Sequence, residues 1–488
     1  MKIIRKILIL IWQKITSNKL LSILLFLIII KGVVWAGLVP VWQGWDENYH
    51  YKYIEYIAEK NTLPPQDKLF TSQEDQIVNK LISNAPIRQT PKFSQTQTGI
   101  GENLLNQNIN RAPASPITAF SAQSYPPLYY LMGAGIYKIF YSTNFLVRFF
   151  AIRILLIFLG ILTVWLSYKI AFEVSENKLF SFTVATLVSF QPLFTLMSST
   201  INNDNLLNLA FVWLTYLGIR ELKSQSSTKS ALWIGIATSL GILAKPQAAI
   251  MIPILIFIYL INFVRKRNNF KNSLKYLAIA LGIIFLTTGW WLIRNKIIYH
   301  GWFGYQASGT TDTQFAHLSI WEYLKFIYGT RLRFVLGYFW AQFAWTNNVV
   351  DNIYQNSLNW LVKLSFVGTI IYFVTSLYKK CVKKIKTNNP FIKNLYLYIF
   401  LAANLIILDL FYVYLFYNRL VTTAKYIFPA QGRYYFPVLG ILAIFFIIGI
   451  QTWLPKKYHP SLYLFLSLGI IFYNFICLFQ YIIPRYYL

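Results

Sequence analysis

The sequence predicts an all-α, polytopic membrane protein, and three observations carry that prediction. Hydrophobic residues fill 56% of the 488 positions and charged residues only 12%, too little polar surface to enclose a soluble core of this size. Apolar runs such as 20–30, 277–287 and 441–450 recur along the whole chain. Lysines and arginines gather in alternate short connections between these runs, the pattern that orients a chain in a membrane. That clustering accounts for the net charge of +29 without invoking nucleic acid.

Eleven spans are expected, near 20–39, 149–172, 179–200, 205–220, 231–244, 246–264, 276–293, 358–378, 394–417, 434–453 and 461–483. The first is interrupted only by Lys31 and is about 20 residues long, which suits an uncleaved span better than a signal peptide. The basic segments "RELKSQSSTKS", "RKRNNFKNSLK", "KKCVKKIKTNN" and "PKKYHPS" are placed in the cytoplasm with the N-terminus. The long loops 40–148 and 294–357, with shorter ones near 201–204 and 418–433, then lie on the extracytoplasmic side of a bacterial inner or plasma membrane. The chain reads as one transmembrane domain, 1–488, with no separate acceptor-binding module after the last span. Cys381 and Cys477 offer neither a disulfide framework nor a metal site.

Acidic residues take the opposite distribution. Eight of the sixteen fall in 40–127, and Asp204, Asp312, Glu322 and Asp351 join them on the outer side with His50, His300 and His317. The chemistry is expected there. "WDENYHYKYIEYIAEK" has helical spacing, with Asp46, Tyr49, His50, Tyr53, Tyr56 and Ile57 on one face and Asn48, Lys52, Glu55 and Glu59 on the other, as in a helix lying on the membrane surface. Residues 61–122, rich in Gln, Asn, Ser, Thr and Pro, read as a mobile loop. "QSYPPLYYLMGAGIYKIF" restarts a helix behind two prolines, too short to span comfortably. "WEYLKFIYGTRLRFVLGYFW" is again aromatic and amphipathic.

Candidate functional residues each have two readings. Asp46 either caps the helix after it or serves as a general base, with Glu47 or His50 beside it to bind a hydroxyl or a metal. Asn202, Asn203 and Asp204 either cap the next span or face the same cavity. Lys245 either snorkels or meets a lipid phosphate. Arg294 with Asn295, and Gln431 with Gly432, Arg433 and Tyr434, sit at outer span ends, where an arginine anchors headgroups or binds phosphate bidentately. Asp409, inside a span, is costly enough to require a cavity or a basic partner. A Gly-rich phosphate loop, a Ser-His-Asp signature and a Cys/His metal cluster are all missing from the sequence, so nucleotide hydrolysis is not expected.

These segments together resemble the GT-C glycosyltransferases, a superfamily that includes protein O-mannosyltransferases and lipid A aminoarabinose transferases. The resemblance rests on the outer "DENYH" after a first span, then "PPLYY", "GILAKPQ", "WWLIRNKIIYHGWFG" and "QGRYYFP", in order over most of the chain. Tyr125 stands where some relatives have lysine or histidine. The resemblance implies inverting transfer of a sugar from a polyprenyl-phosphate donor to a lipid, glycan or protein acceptor at the outer membrane face. It maps the essential first-loop acidic residue onto Asp46, with Glu47 beside it. No cofactor is required by the sequence, and a divalent metal is left open. A lipid or glycan transporter or flippase without catalytic activity is the alternative, and a structural subunit of a polysaccharide-assembly complex is a third class. Long outer loops with lopsided acidic content argue against a transporter, whose polar sites usually lie at the midplane.

Overall fold

The computed structural model of the protein describes residues 19–65, 68–83, 109–113, 115–118, 125–265, 269–302, 319–326, 339–343, 348–381, 394–423 and 431–487. Among the described residues, sixteen α-helices of seven residues or more build the frame. The first half of the chain supplies α1 (Lys19–Leu38), α2 (Glu47–Lys60), α3 (Gln73–Ser83), α4 (Leu128–Ile139), α5 (Phe145–Ser175), α6 (Lys178–Phe190), α7 (Pro192–Ser198) and α8 (Asp204–Lys223). The second half supplies α9 (Thr228–Ala244), α10 (Met251–Val264), α11 (Phe270–Tyr299), α12 (Ile320–Phe326), α13 (Asn352–Cys381), α14 (Leu395–Thr423), α15 (Leu439–Thr452) and α16 (His459–Ile476).

All eleven segments expected to span are helical, but they are not alike. Among the described residues, eight helices are long and apolar enough to cross a membrane, or nine if α6 and α7, bent by 67° at their junction, form one span. The remaining two are α9, apolar but only 17 residues long, and α8, which carries Asp204, Arg220, Glu221 and Lys223 at its ends. The molecule is an all-α, multi-pass membrane protein. Its 31-residue α5 runs through the middle and packs on α1, α4, α6, α7, α8 and α15. At the α13–α15 crossing, backbone meets backbone. A Cβ on Gly449 would lie 1.9 Å from the Ser365 carbonyl oxygen, so only glycine permits the approach.

A second apolar core sits at one end of the bundle and seats α2 and α4 on α5. Tyr51, Tyr53, Tyr129, Tyr130 and Tyr137 are all fully buried in it. Each such side chain contributes on the order of 1.5–3 kcal/mol by burial, enough to hold two helices that do not span.

This core revises the reading of the first long loop in two respects. Helix α2 does not lie on a surface with one wet face. Asn48, Lys52 and Glu55, expected opposite the tyrosines, are as buried as His50 and Tyr53. The cover comes from 68–83, within the stretch read as a mobile loop. There β1 (Lys68–Thr71) pairs antiparallel with β2 (Ser115–Thr118), Lys68 opposite Thr118, and α3 brings Glu74 and Asp75 down beside Glu55. Pairing across more than forty residues leaves no local period to read. Of the second long loop, Ile320–Phe326 is helical as its pattern suggested; the rest of the "WEYLKFIYGTRLRFVLGYFW" stretch up to Tyr338, with Asp312 and His317, lies outside the described residues.

Candidate functional site

Asp46 occupies the N-cap position of α2, yet its side chain makes no capping hydrogen bond. Its backbone is left-handed (φ 57°, ψ 15°), and Trp42 four residues earlier is too (φ 62°). A non-glycine residue held there costs about 1–3 kcal/mol, and such residues concentrate at functional sites. Between them Gly44 lies against Thr200, where an added Cβ would come within 2.5 Å of the threonine Cβ. The turn is therefore clamped, and it turns the Asp46 carboxylate away from the helix toward Arg433, at 3.5 Å.

Arg433 links two carboxylates. Its Nη2 faces Asp46 and its Nη1 lies 3.9 Å from Asp204 Oδ2, while Asp204 Oδ1 accepts from Lys245 Nζ. Asp46, Arg433, Asp204 and Lys245 thus form one chain of alternating charge, drawn from four parts of the sequence. Lys245 Nζ lies between the rings of Tyr125 (6.0 Å) and Tyr434 (5.7 Å), and the Arg433 guanidinium lies over Trp45 at 4.9 Å. Among the described residues, the Arg433 Nε and the Gln431 Oε1 are buried without a hydrogen-bond partner. A buried orphan donor on a guanidinium costs free energy unless something occupies it.

His50, one turn along α2, bonds through Nδ1 to the Tyr130 hydroxyl at 2.9 Å and stacks between Tyr125 and Tyr130. Burial, then the positive charge of Lys245, pushes its pKa down to about 3, so the ring is neutral near pH 7. Asn203 donates to the Ala244 carbonyl at 3.1 Å and so fixes the residue before Lys245. Asn202 and Asn205 both donate to the Met197 carbonyl at 2.7 Å and close the end of α7. Neither Asn203 nor Asp46, although each stands at a helix N-cap, caps with its side chain.

Glu47 is placed differently from its neighbour. Fully buried, it accepts from Arg153 Nε (2.9 Å) and Nη2 (2.7 Å), from Gly44 N (3.1 Å) and from Ile201 N (2.8 Å). Four donors satisfy both oxygens and leave it occupied as a brace between α2, α5 and residue 201. Arg153 also donates to the carbonyls of Ala36, Val39 and Pro40 at the end of α1. Sequence reasoning passed over Arg153, although an arginine within an apolar run is a signal in itself. Arg294 stands on α11 with its guanidinium over Trp291 and reaching Asn295. Beside it Pro126, Ile242, Pro246, Trp291, Asn295 and Trp302 line a shallow crease that has no room for a water-sized group. Asp409, inside α14, accepts from the Tyr435 hydroxyl at 2.5 Å, two residues from Arg433.

A second polar cluster lies on the far face of α2. Glu74 pairs with Arg148 at 2.5 Å, and burial pushes the neighbouring carboxyls of Glu55 and Asp75 above the usual range. Among the described residues no group of three or more His, Cys, Asp or Glu side chains is arranged to hold a metal ion.

A multi-pass helical bundle with a charge-balanced polar cluster, flanked by aromatic rings, at its helix ends defines the class. The chain belongs to the family described as Predicted membrane protein (DUF2142), whose match spans residues 27–442. No curated protein matches it. Among solved structures it is similar to the Archaeoglobus fulgidus oligosaccharyltransferase complexed with Zn and sulfate, at 14% identity and a TM-score of 0.47, over 93% of this chain and 52% of that one. It is also similar to ArnT from Cupriavidus metallidurans bound to undecaprenyl phosphate, at 10% identity and a TM-score of 0.47, over 95% of this chain and 73% of that one. The chain spans about half the length of the archaeal enzyme.

Proposed function

We propose that this protein is a membrane glycosyltransferase that moves a sugar from a polyprenyl-phosphate donor to a hydroxyl of a lipid, glycan or protein acceptor at the extracytoplasmic face, with inversion. One observation carries it: a carboxylate relieved of capping duty, in a strained turn, faces an arginine whose Nε–H is buried and, among the described residues, unpartnered. An anion bound beside Arg433 would satisfy that donor.

The residues of the pocket divide the reaction between them. Arg433 and Lys245 receive the donor phosphate, with Asp204 holding both cations in place. A phosphate oxygen takes over Arg433 from Asp46, whose 3.5 Å contact is weak. Asp46 then accepts the proton of the acceptor hydroxyl. The oxygen attacks the anomeric carbon from the face opposite the phosphate, the carbon–oxygen bond to phosphate breaks, and its electron pair leaves on the phosphate. A positioned general base is worth about 10²–10⁴-fold, and alignment of the acceptor adds to it. Neutral His50 supplies a hydrogen bond without adding to the positive charge.

The test is purified protein in lipid nanodiscs with a panel of hexoses and pentoses on polyprenyl phosphate, monitoring release of free polyprenyl phosphate. Release that depends on both donor and acceptor supports transfer. Binding without release, joined to movement of the lipid across proteoliposomes, identifies a flippase instead.

A further inference from the structure

We propose that Lys31 is a positioning residue: from the middle of the first span it fastens the break between α6 and α7 and thereby sets where Asp204 stands. The break originates at Pro192. Proline has no N–H and its ring collides with the carbonyl four residues back, so the helix breaks at Gln191 and carbonyls of the last turn of α6 lose their intrahelical partners. In a membrane each orphan is costly.

Side chains from other helices supply the missing donors. Lys31 Nζ donates to the Ser189 carbonyl and, at 3.1 Å, to Thr195 Oγ1, and lies 4.6 Å over the Phe190 ring. Asn474, from α16, donates at 3.0 Å to the Phe190 carbonyl and at 3.0 Å to the same Thr195 Oγ1. Gln191 completes the join: its Oε1 caps Phe194 N at 2.5 Å and its Nε2 reaches the Phe339 carbonyl. A lysine within a span is expensive and is retained where it has work or partners. Here it has both.

The consequence reaches the pocket because α7 is short. Seven residues, about 10 Å of helix, separate the break at Gln191 from Ser199, and the segment beyond is tied down at each step. Thr200 packs on Gly44, the Ile201 N–H bonds to Glu47, and Asp204 reaches Lys245. Turning α7 about its hinge would move Asp204 and loosen the turn that presents Asp46. The inference rests on the proposed function only in calling that destination an active site.

Hydrogen exchange by mass spectrometry in nanodiscs tests it on the intact protein, independently of any turnover. In Lys31→Met, amides of 199–206 are expected to exchange about tenfold faster or more, as befits the loss of a buried hydrogen-bond donor, while α13 and α15 keep wild-type protection. Lys31→Arg, which retains a donor, is expected to restore most of it. Should Lys31→Met not accumulate, Asn474→Leu removes the other arm of the node and is expected to give the same local pattern. Unchanged exchange at 199–206 overturns the proposal. So does acceleration spread evenly over all helices, which marks Lys31 as general stabilisation. If sugar transfer is never observed but the local pattern appears, the positioning role stands and the activity assignment fails alone.

Discussion

Replacing Arg153 with methionine is expected to be among the most damaging single changes available in this fold. Both members of the Arg153–Glu47 pair are completely buried. The guanidinium donates twice to Glu47, at 2.9 and 2.7 Å, and to the Ala36, Val39 and Pro40 carbonyls at 2.6, 2.6 and 3.0 Å. Methionine fills much of the volume but leaves the buried Glu47 carboxylate without its counter-charge and removes the Arg153 donors from the Ala36 and Val39 carbonyls, while the Pro40 carbonyl still accepts from Gln43 N. Removing one partner of such a pair costs about 3–5 kcal/mol, a factor of roughly 150 to 5,000 in the folding equilibrium. Glu47→Gln is milder, because the amide oxygen still accepts from Gly44 N or Ile201 N. The double variant Arg153→Met/Glu47→Gln should recover part of the loss, giving a coupling on the order of 2 kcal/mol. Equilibrium unfolding in mixed micelles, monitored by tryptophan fluorescence, measures all three. A cost below about 1 kcal/mol for Arg153→Met, or strict additivity in the double variant, would refute the assignment of this pair as the brace.

Three further outcomes are expected. Arg433→Lys keeps the charge but loses the planar fork, so undecaprenyl phosphate binding by titration should weaken about tenfold; equal affinity in Arg433→Ala removes the residue from the donor site. His50, pushed down to about 3 in the fold against 6.5 when free, binds fewer protons folded than unfolded in that window. Its contribution to stability is therefore complete above about pH 6.5 and is lost as pH falls toward 3, by up to about 1.4 kcal/mol per unit. His50→Asn should flatten that acid-side slope; an unaltered slope shows that other groups set it. For orientation, an impermeant thiol reagent on intact cells should label a cysteine introduced at Ser94 and leave Cys381 unlabelled, and the reverse result inverts the topology.

How much of this was legible in the sequence depended on whether a residue's partner was local. The spans announce themselves through hydropathy, and Asp46, Asp204, Lys245 and Arg433 were each visible as charges at span ends. Their convergence through Arg433 was not, since Asp46 and Arg433 are 387 residues apart in the chain. Glu47 could not be told from Asp46 by position. The difference lies in Arg153, 106 residues away, which takes up Glu47 and leaves its neighbour for the pocket. The second face of α2 misled for the same reason: Lys52 and Glu55 look solvated until α3, brought in beside β1 and β2, covers them. Lys31 read as an interruption of a span, because the Ser189 carbonyl that it meets at the broken turn lies 158 residues away in the chain.

The central claim is that Asp46 is the base, and turnover of Asp46→Asn tests it most directly. Asparagine tolerates the left-handed backbone as well as aspartate does, so the turn keeps its shape while the proton acceptor is lost. Donor-dependent release of polyprenyl phosphate should fall about 100-fold or more, with unfolding and donor affinity near those of the wild type. Near-normal transfer by a well-folded Asp46→Asn protein would contradict the account.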